Sequence, residues 1–367
     1  MEAAYLERVA ALGGATLAVL SALEIAERRL HPPDLPELRR ALSVPRERLG
    51  VSLDEFRAAP PAAANLLAFH AHFEAAAALA LDAISRFVDP GPPHEATVRI
   101  LGALGTHRRA QAALYPLRDA LPAIGRWFLE TPLRDVESAR VRSIADAAPR
   151  DGFDTGVFEA PAARGDRGGF SLYVPEWWDG STPWPLVVAL HGASGHGREF
   201  LWTWLREARS RGFVLLAPTS LDSTWSLDAP GVDAARLVSM QDFVAARWPI
   251  DRSRVLLTGL SDGATFSLLA GLLEDAPYTA LAPVSGVLHP LNFGLGNVAR
   301  ASDRRIHQVH GALDWLFPVA LARIARDALQ HAGAALVYRE IEDLSHTYPR
   351  EQNAAILDWF DPALTLG

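Results

Sequence analysis

No stretch constrains this chain more than Val255-Leu256-Leu257-Thr258-Gly259-Leu260-Ser261-Asp262-Gly263-Ala264, an apolar run that breaks into G-x-S-x-G and resumes as a helix-forming segment. Val255 to Thr258 reads as a buried parallel strand and Ala264 to Leu273 as a helix. A serine on the sharp turn between them takes a strained backbone conformation. Only small neighbours such as Gly259 and Gly263 let strand and helix approach that closely. The turn lifts the hydroxyl into a cleft, as a nucleophile elbow does. An ordinary Gly-rich turn could match the same five residues, so the argument rests on the strand and helix around them.

A serine hydroxyl is a poor nucleophile until a base takes its proton, and that base needs an acid to orient it. For a serine on a strand-to-helix elbow, the expected chain order is Ser, then Asp or Glu, then His, on loops after later strands. Arg305 to Gly311 reads as a strand followed by a loop that carries Asp314. Ala335 to Ile341 reads as another, followed by a loop with a single histidine, His346. The roles that follow are Ser261 as nucleophile, His346 as general base and acid, and Asp314 as the carboxylate that orients the imidazole. Asp303 and Asp343 are the competing acids.

An acyl-transfer site also needs two backbone N–H donors for the oxyanion. Leu186 to Leu190 is an apolar strand, and His191-Gly192-Ala193-Ser194-Gly195-His196-Gly197 follows it as a Gly-rich loop able to expose amides. One donor is expected to be the amide of Asp262 and the other that of Ala193, with Ser194 as the alternative.

These segments together resemble the α/β-hydrolase superfamily, and within it the phospholipase/carboxylesterase and polyhydroxybutyrate-depolymerase-like esterases. The block Pro249 to Gly263 is similar to the I-D-x-x-R-V-x-x-T-G-x-S-x-G-G block of those esterases. The His191 to Gly197 loop is similar to the carboxylesterase H-G-x-x-x-x-G loop. Asp314 follows His310-Gly311 and precedes Phe317-Pro318 as in the family. The similarity runs from about Gly169 to Phe360, and Ala264 stands where a second glycine is usual. The resemblance implies a cofactor-free serine hydrolase that cleaves carboxylic esters through an acyl-enzyme. A lysophospholipase or thioesterase would use the same machinery, and a binding protein on a hydrolase scaffold is the non-enzymatic alternative.

Other histidines have blander readings. His289, His307, His310 and His331 lie outside the loops after the last strands, so structural or surface roles are expected. His191 is expected to shape the oxyanion loop. His70 and His72 are two apart on a helix and face different directions, which argues against a shared metal. There is no cysteine, hence no thiolate site. With neither a dinucleotide fingerprint nor a phosphate loop, no cofactor is expected.

At 367 residues the chain is long for one hydrolase domain and points to two folding units. Residues 1 to about 130 read as an all-α bundle: Glu2 to Leu30, Pro61 to Val88, His94 to Leu114 and Pro116 to Leu129, punctuated by prolines. Thr131 to Asp166 is a charged connection containing a helix, so the boundary is placed near 150. Residues 1–150 are assigned to packing, dimerisation or a cap, and 151–367 to the catalytic domain. Beyond it, strands and helices alternate as in a doubly wound, mostly parallel α/β sheet.

Formal net charge is −8, and all 35 basic residues are arginine. That balance argues against nucleic-acid binding, which needs a concentrated basic face. The arginine usage fits a GC-rich bacterial genome. Val9 to Leu23 is apolar but follows Glu2 and Glu7, with a poor cleavage site. A first bundle helix is therefore expected instead of a signal peptide. The stretch also reads as too short to span a bilayer, and a cytoplasmic enzyme is expected. Nine of the ten tryptophans lie beyond residue 150. Trp202, Trp204, Trp225 and Trp315 fall in or near loops that should rim the cleft. Trp225 and Trp315 are the better candidates for an apolar substrate pocket.

Overall fold

In a computed structural model, residues 2–89, 91–146, 154–160 and 166–366 are described. The chain divides into two compact units, Met1–Glu137 and Ser138–Gly367. The boundary expected near 150 falls on residues outside those described. The division itself comes after Glu137, so the short helix Ala139–Ala145 belongs with the second unit.

Four long helices build the first unit: α1 (Glu2–Arg28), α2 (Leu35–Ala58), α3 (Leu67–Val88) and α4 (Ala96–Leu114). The sequence analysis assigns no helix over α2, which carries Pro45 in its interior. The helix forms regardless, since Leu38, Leu42, Leu49, Leu53 and Phe56 recur at helical spacing and are all buried. Conversely, the helix expected over Pro116 to Leu129 shrinks to Pro122–Trp127, with Pro122 at its first turn, where its missing N–H costs nothing. On α3, Ala76, Ala77, Ala80 and Ala83 are buried and allow the neighbouring backbone to approach closely. The expectation that Val9 to Leu23 is too short for a bilayer does not hold for the helix that contains it. Ala3–Arg28 and Ala64–Val88 are both long and apolar enough to cross a membrane by length and composition. Within the unit, Leu12, Val19, Leu20 and Leu23 of α1 are fully buried.

The second unit is an eight-stranded sheet of β1 (Gly156–Ala160), β2 (Phe170–Val174), β3 (Trp184–Leu190), β4 (Val214–Pro218), β5 (Ile250–Leu260), β6 (Ala280–Val284), β7 (Arg305–Gly311) and β8 (Ala335–Ile341). Its order is β1-β2-β4-β3-β5-β6-β7-β8. β1 and β2 pair antiparallel with each other, and β2 with β4, while β4 through β8 are parallel. β1 lies inside what the sequence suggests is a connection. The inner strands β3, β4 and β6 are buried on both faces, which is why they read as unbroken apolar runs. Leu186, Val188, Leu257, Leu281 and Ile306 of these strands share one core with Trp178, Trp225 and Phe266. All parallel strands point their carboxyl ends to one edge, where the loops after β3, β4, β5, β7 and β8 meet.

Candidate active site

Ser261 caps the helix Asp262–Gly271 at the end of β5 with φ 57° and ψ −118°. Such strain in a non-glycine residue persists only where the surroundings over-determine it. Here the elbow glycines do so. A Cβ on Gly259 would lie 2.6 Å from the Gly263 carbonyl carbon, and one on Gly263 would collide with the carbonyl oxygen of His191. The place of the missing second glycine is explained too. Ala264 is buried, and its methyl uses space left by Gly286, where an added Cβ would meet it at 2.6 Å. Ser194 and Ser285, after β3 and β6, also have positive φ. Three of the four non-glycine residues with positive φ among those described thus lie at this edge of the sheet.

The three expected side chains meet. His346 Nε2 lies 2.9 Å from Ser261 Oγ, and His346 Nδ1 lies 2.8 Å from Asp314 Oδ2. With the ring proton on Nδ1, the imidazole donates to Asp314 and leaves Nε2 free to accept from the serine. Asp314 is buried, and its other oxygen accepts from the amides of Leu316 (3.0 Å) and Phe317 (2.7 Å), so the carboxylate cannot swing. Phe317 in turn sets its ring edge-on to His346, with centroids 5.2 Å apart. The competing acid Asp303 sits in a turn with φ 58°, its amide bonded to Gly333.

His310, read from the sequence as structural, is part of this arrangement. It is fully buried, donates from Nε2 to the Phe317 carbonyl (2.8 Å), and holds that nitrogen 3.4 Å from Asp314 Oδ2. Burial pushes its pKa down, favouring the neutral ring. The available signal was its position at the end of β7, four residues before Asp314.

On the opposite side of Ser261, the amide of Ser194 is committed to the carbonyl of Ser223 at 2.6 Å, which removes it as an oxyanion donor. Ala193 is exposed, and no backbone bond among the described residues claims its N–H. The amide of Asp262 is the first in its helix and has no intrahelical acceptor. His191 holds the loop: Ser220 N–H donates to its Nε2 (3.1 Å), which places the ring proton on Nδ1, facing the Gly192 carbonyl at 2.6 Å. Burial pushes its pKa down to about 4.

The tryptophans divide differently from the expectation. Trp225 does not line an open pocket: it is 2% exposed, stacks on Phe266 at 5.3 Å, and donates from Nε1 to the His191 carbonyl (2.8 Å). Trp202 and Trp204 are buried as well, because large apolar rings close to a sheet edge gain most by joining its core. Trp315 alone of the four is open, 57% exposed on the loop of Asp314. Among the described residues no group of three or more metal-ligating side chains comes together.

A mostly parallel sheet with this strand order, and a strained serine at the carboxyl end of its central strand beside an acid–histidine pair, places the second unit in the α/β-hydrolase superfamily. Within that class, the phospholipase/carboxylesterase family profile matches residues 235–361. Feruloyl esterase B of Thermothelomyces thermophilus is 34% identical over 128 residues, which is 32% of this chain and 43% of that protein. Feruloyl esterase B of Talaromyces funiculosus is 28% identical over 137 residues, or 34% of this chain and 38% of that protein. The chain thus spans less than half the length of these relatives. Among solved structures, an acetyl xylan esterase from Aspergillus awamori has 16% identity, a TM-score of 0.45, and coverage of 56% of this chain and 98% of that one. The acyl-protein thioesterase 2 of Zea mays has 16% identity, a TM-score of 0.42, and coverage of 54% and 99%.

Proposed function

We propose that the protein is a serine hydrolase that cleaves carboxylic esters through an acyl-enzyme. The observation that carries the reading is the unbroken relay from Ser261 Oγ through His346 to Asp314, with contacts of 2.9 and 2.8 Å. His346 Nε2 takes the serine proton as Oγ attacks the ester carbonyl, and the imidazolium that forms is stabilised by the Asp314 carboxylate. The tetrahedral oxyanion falls to the amides of Ala193 and Asp262, each such donor contributing on the order of 100-fold to 1000-fold in turnover. His346 then protonates the leaving alcohol. Water, activated by the same imidazole, attacks the acyl-serine and releases the acid.

The apolar side chains on the acid loop, Leu313, Trp315 and Leu316, are all exposed and favour an apolar ester substrate. The names of the curated relatives make feruloyl esters sensible substrates to try beside simple aryl esters. We assign the helical unit a packing or dimerisation role and no part in the chemistry. Hydrolysis of p-nitrophenyl acetate and butyrate by the wild type and by Ser261→Ala tests the reading. Turnover is expected in the first and none above background in the second, with unchanged circular dichroism. A folded wild type that cleaves neither ester overturns it.

A further inference from the structure

The two halves of the oxyanion hole belong to different segments, the loop after β3 and the first turn after β5. Neither bonds directly to the other through the donor amides. Three consecutive residues of the loop after β4 touch both. The carbonyl of Ser223 accepts the Ser194 amide at 2.6 Å, directly beside the Ala193 donor. The hydroxyl of Thr224 donates to Asp262 Oδ2 at 2.6 Å, on the residue whose amide is the second donor. The indole of Trp225 donates to the His191 carbonyl at 2.8 Å, and its ring stacks on Phe266 of the elbow helix, centroids 5.3 Å apart.

This segment is itself anchored at both ends. At its start the amide of Thr219 bonds to the Gly169 carbonyl (2.7 Å), its hydroxyl accepts from Gly197 N–H (3.0 Å), and Ser220 N–H holds the His191 ring. At its end the Ser226 amide donates to Asp233 Oδ2 (2.8 Å), while the Asp233 amide donates to Ser226 Oγ (3.1 Å), in the first turn of the helix Gly231–Ala245. Hydrogen bonds along such a fixed span transmit position, because every partner is tied to a strand or a helix.

Charge gives Thr224 a second purpose. A carboxylate directly after the nucleophile lies close to where negative charge develops in the transition state, and like charges there oppose catalysis. The bond from Thr224 fixes the direction of the Asp262 side chain, at a helix N-terminus that itself favours an anion.

We propose that Ser223, Thr224 and Trp225 are positioning residues. They lock the Ala193 and Asp262 amides into one oxyanion hole, and Thr224 holds the Asp262 carboxylate in one direction beside the developing charge. The inference rests on the esterase reading above and adds residues that touch neither substrate nor the reacting atoms.

The test is a kinetic series on the full chain with p-nitrophenyl butyrate, accompanied by fluorophosphonate labelling. Thr224→Val should lower kcat about 10-fold to 100-fold, a fraction of what losing a whole donor costs, with KM within about twofold. Affinity for an alkyl boronic acid, which forms a tetrahedral anion on the serine, should fall in parallel with kcat. Thr224→Ser, which keeps the hydroxyl, should restore both. In an Asp262→Ala background, Thr224→Val should cost less than about twofold, since its partner is gone. Trp225→Phe keeps the stack on Phe266 and removes the bond to His191, and it should lower kcat about 10-fold at unchanged KM. Wild-type kcat in Thr224→Val, or an equal loss in the Asp262→Ala background, overturns the inference while labelled wild type leaves the esterase reading standing. Wild type that neither labels at Ser261 nor turns over overturns both.

Discussion

Replacing Asp314 with asparagine changes one atom's chemistry and little of its shape, so the structure fixes the consequence in some detail. One oxygen of Asp314 accepts the amides of Leu316 and Phe317; the other faces His346 Nδ1 at 2.8 Å and His310 Nε2 at 3.4 Å. An asparagine keeps its carbonyl oxygen on the two amides, because turning it over would set its NH2 against two N–H donors. The NH2 therefore faces His346. Nδ1 must become the acceptor, the ring proton moves to Nε2, and Nε2 can no longer take the proton of Ser261. For this kind of change the loss is about 10,000-fold, or about 5 kcal/mol of transition-state stabilisation. kcat on p-nitrophenyl butyrate should fall by that order, with KM and thermal midpoint nearly unchanged. Asp303→Asn and Asp343→Asn should leave kcat near wild type. Asp314→Asn activity within about tenfold of wild type would refute the tautomer argument, and a larger loss in either control would move the acid elsewhere.

Three further outcomes follow from the packing and the buried groups. Gly263→Ala drives a methyl into the His191 carbonyl, so the thermal midpoint should drop by at least about 5 °C, the equivalent of ~2 kcal/mol or more of overpacking, read by calorimetry. His307 is buried with its ring edge-on to Trp359, and burial, aided by the charge of Arg339, pushes its pKa down to about 4. The unfolded chain binds that proton near pH 6.5, so stability is full above that pH and declines as pH falls toward 4; His307→Phe should lose about 2 kcal/mol less than wild type between pH 7 and 4.5 in urea titrations. A chain beginning at Ser138 should keep its turnover on p-nitrophenyl acetate, and a folded, inactive truncation would give the helical unit a part in the chemistry.

The sequence makes the parallel strands and the elbow legible because both leave local marks: unbroken apolar runs, and glycines where any Cβ collides. The order of strands and loops brings Ser261 and His346 to notice, and it is the flanking His310-Gly311 and Phe317-Pro318 that single out Asp314 from Asp303 and Asp343. What escapes sequence reading depends on tertiary partners. α2 forms around Pro45 because five apolar side chains are buried at helical spacing, which outweighs one missing N–H. β1 exists because its residues pair with β2 and Phe158 packs on Trp248, a partner ninety residues further along the chain that local pattern does not reveal. Trp225 was assigned to a pocket from its loop. Its packing on Phe266 and its bond to His191 could be seen only once the elbow helix was in place. His310 likewise gains its meaning from the turn that brings Asp314 back against it.

The central claim is that Ser261 is a nucleophile activated by His346. Reaction of the intact chain with a fluorophosphonate probe, followed by peptide mass mapping, tests it most directly. The account predicts one adduct, on the peptide carrying Ser261, none in Ser261→Ala, and strongly slowed labelling in His346→Ala. No adduct on folded wild-type protein, or an adduct on another serine that persists in Ser261→Ala, would contradict it.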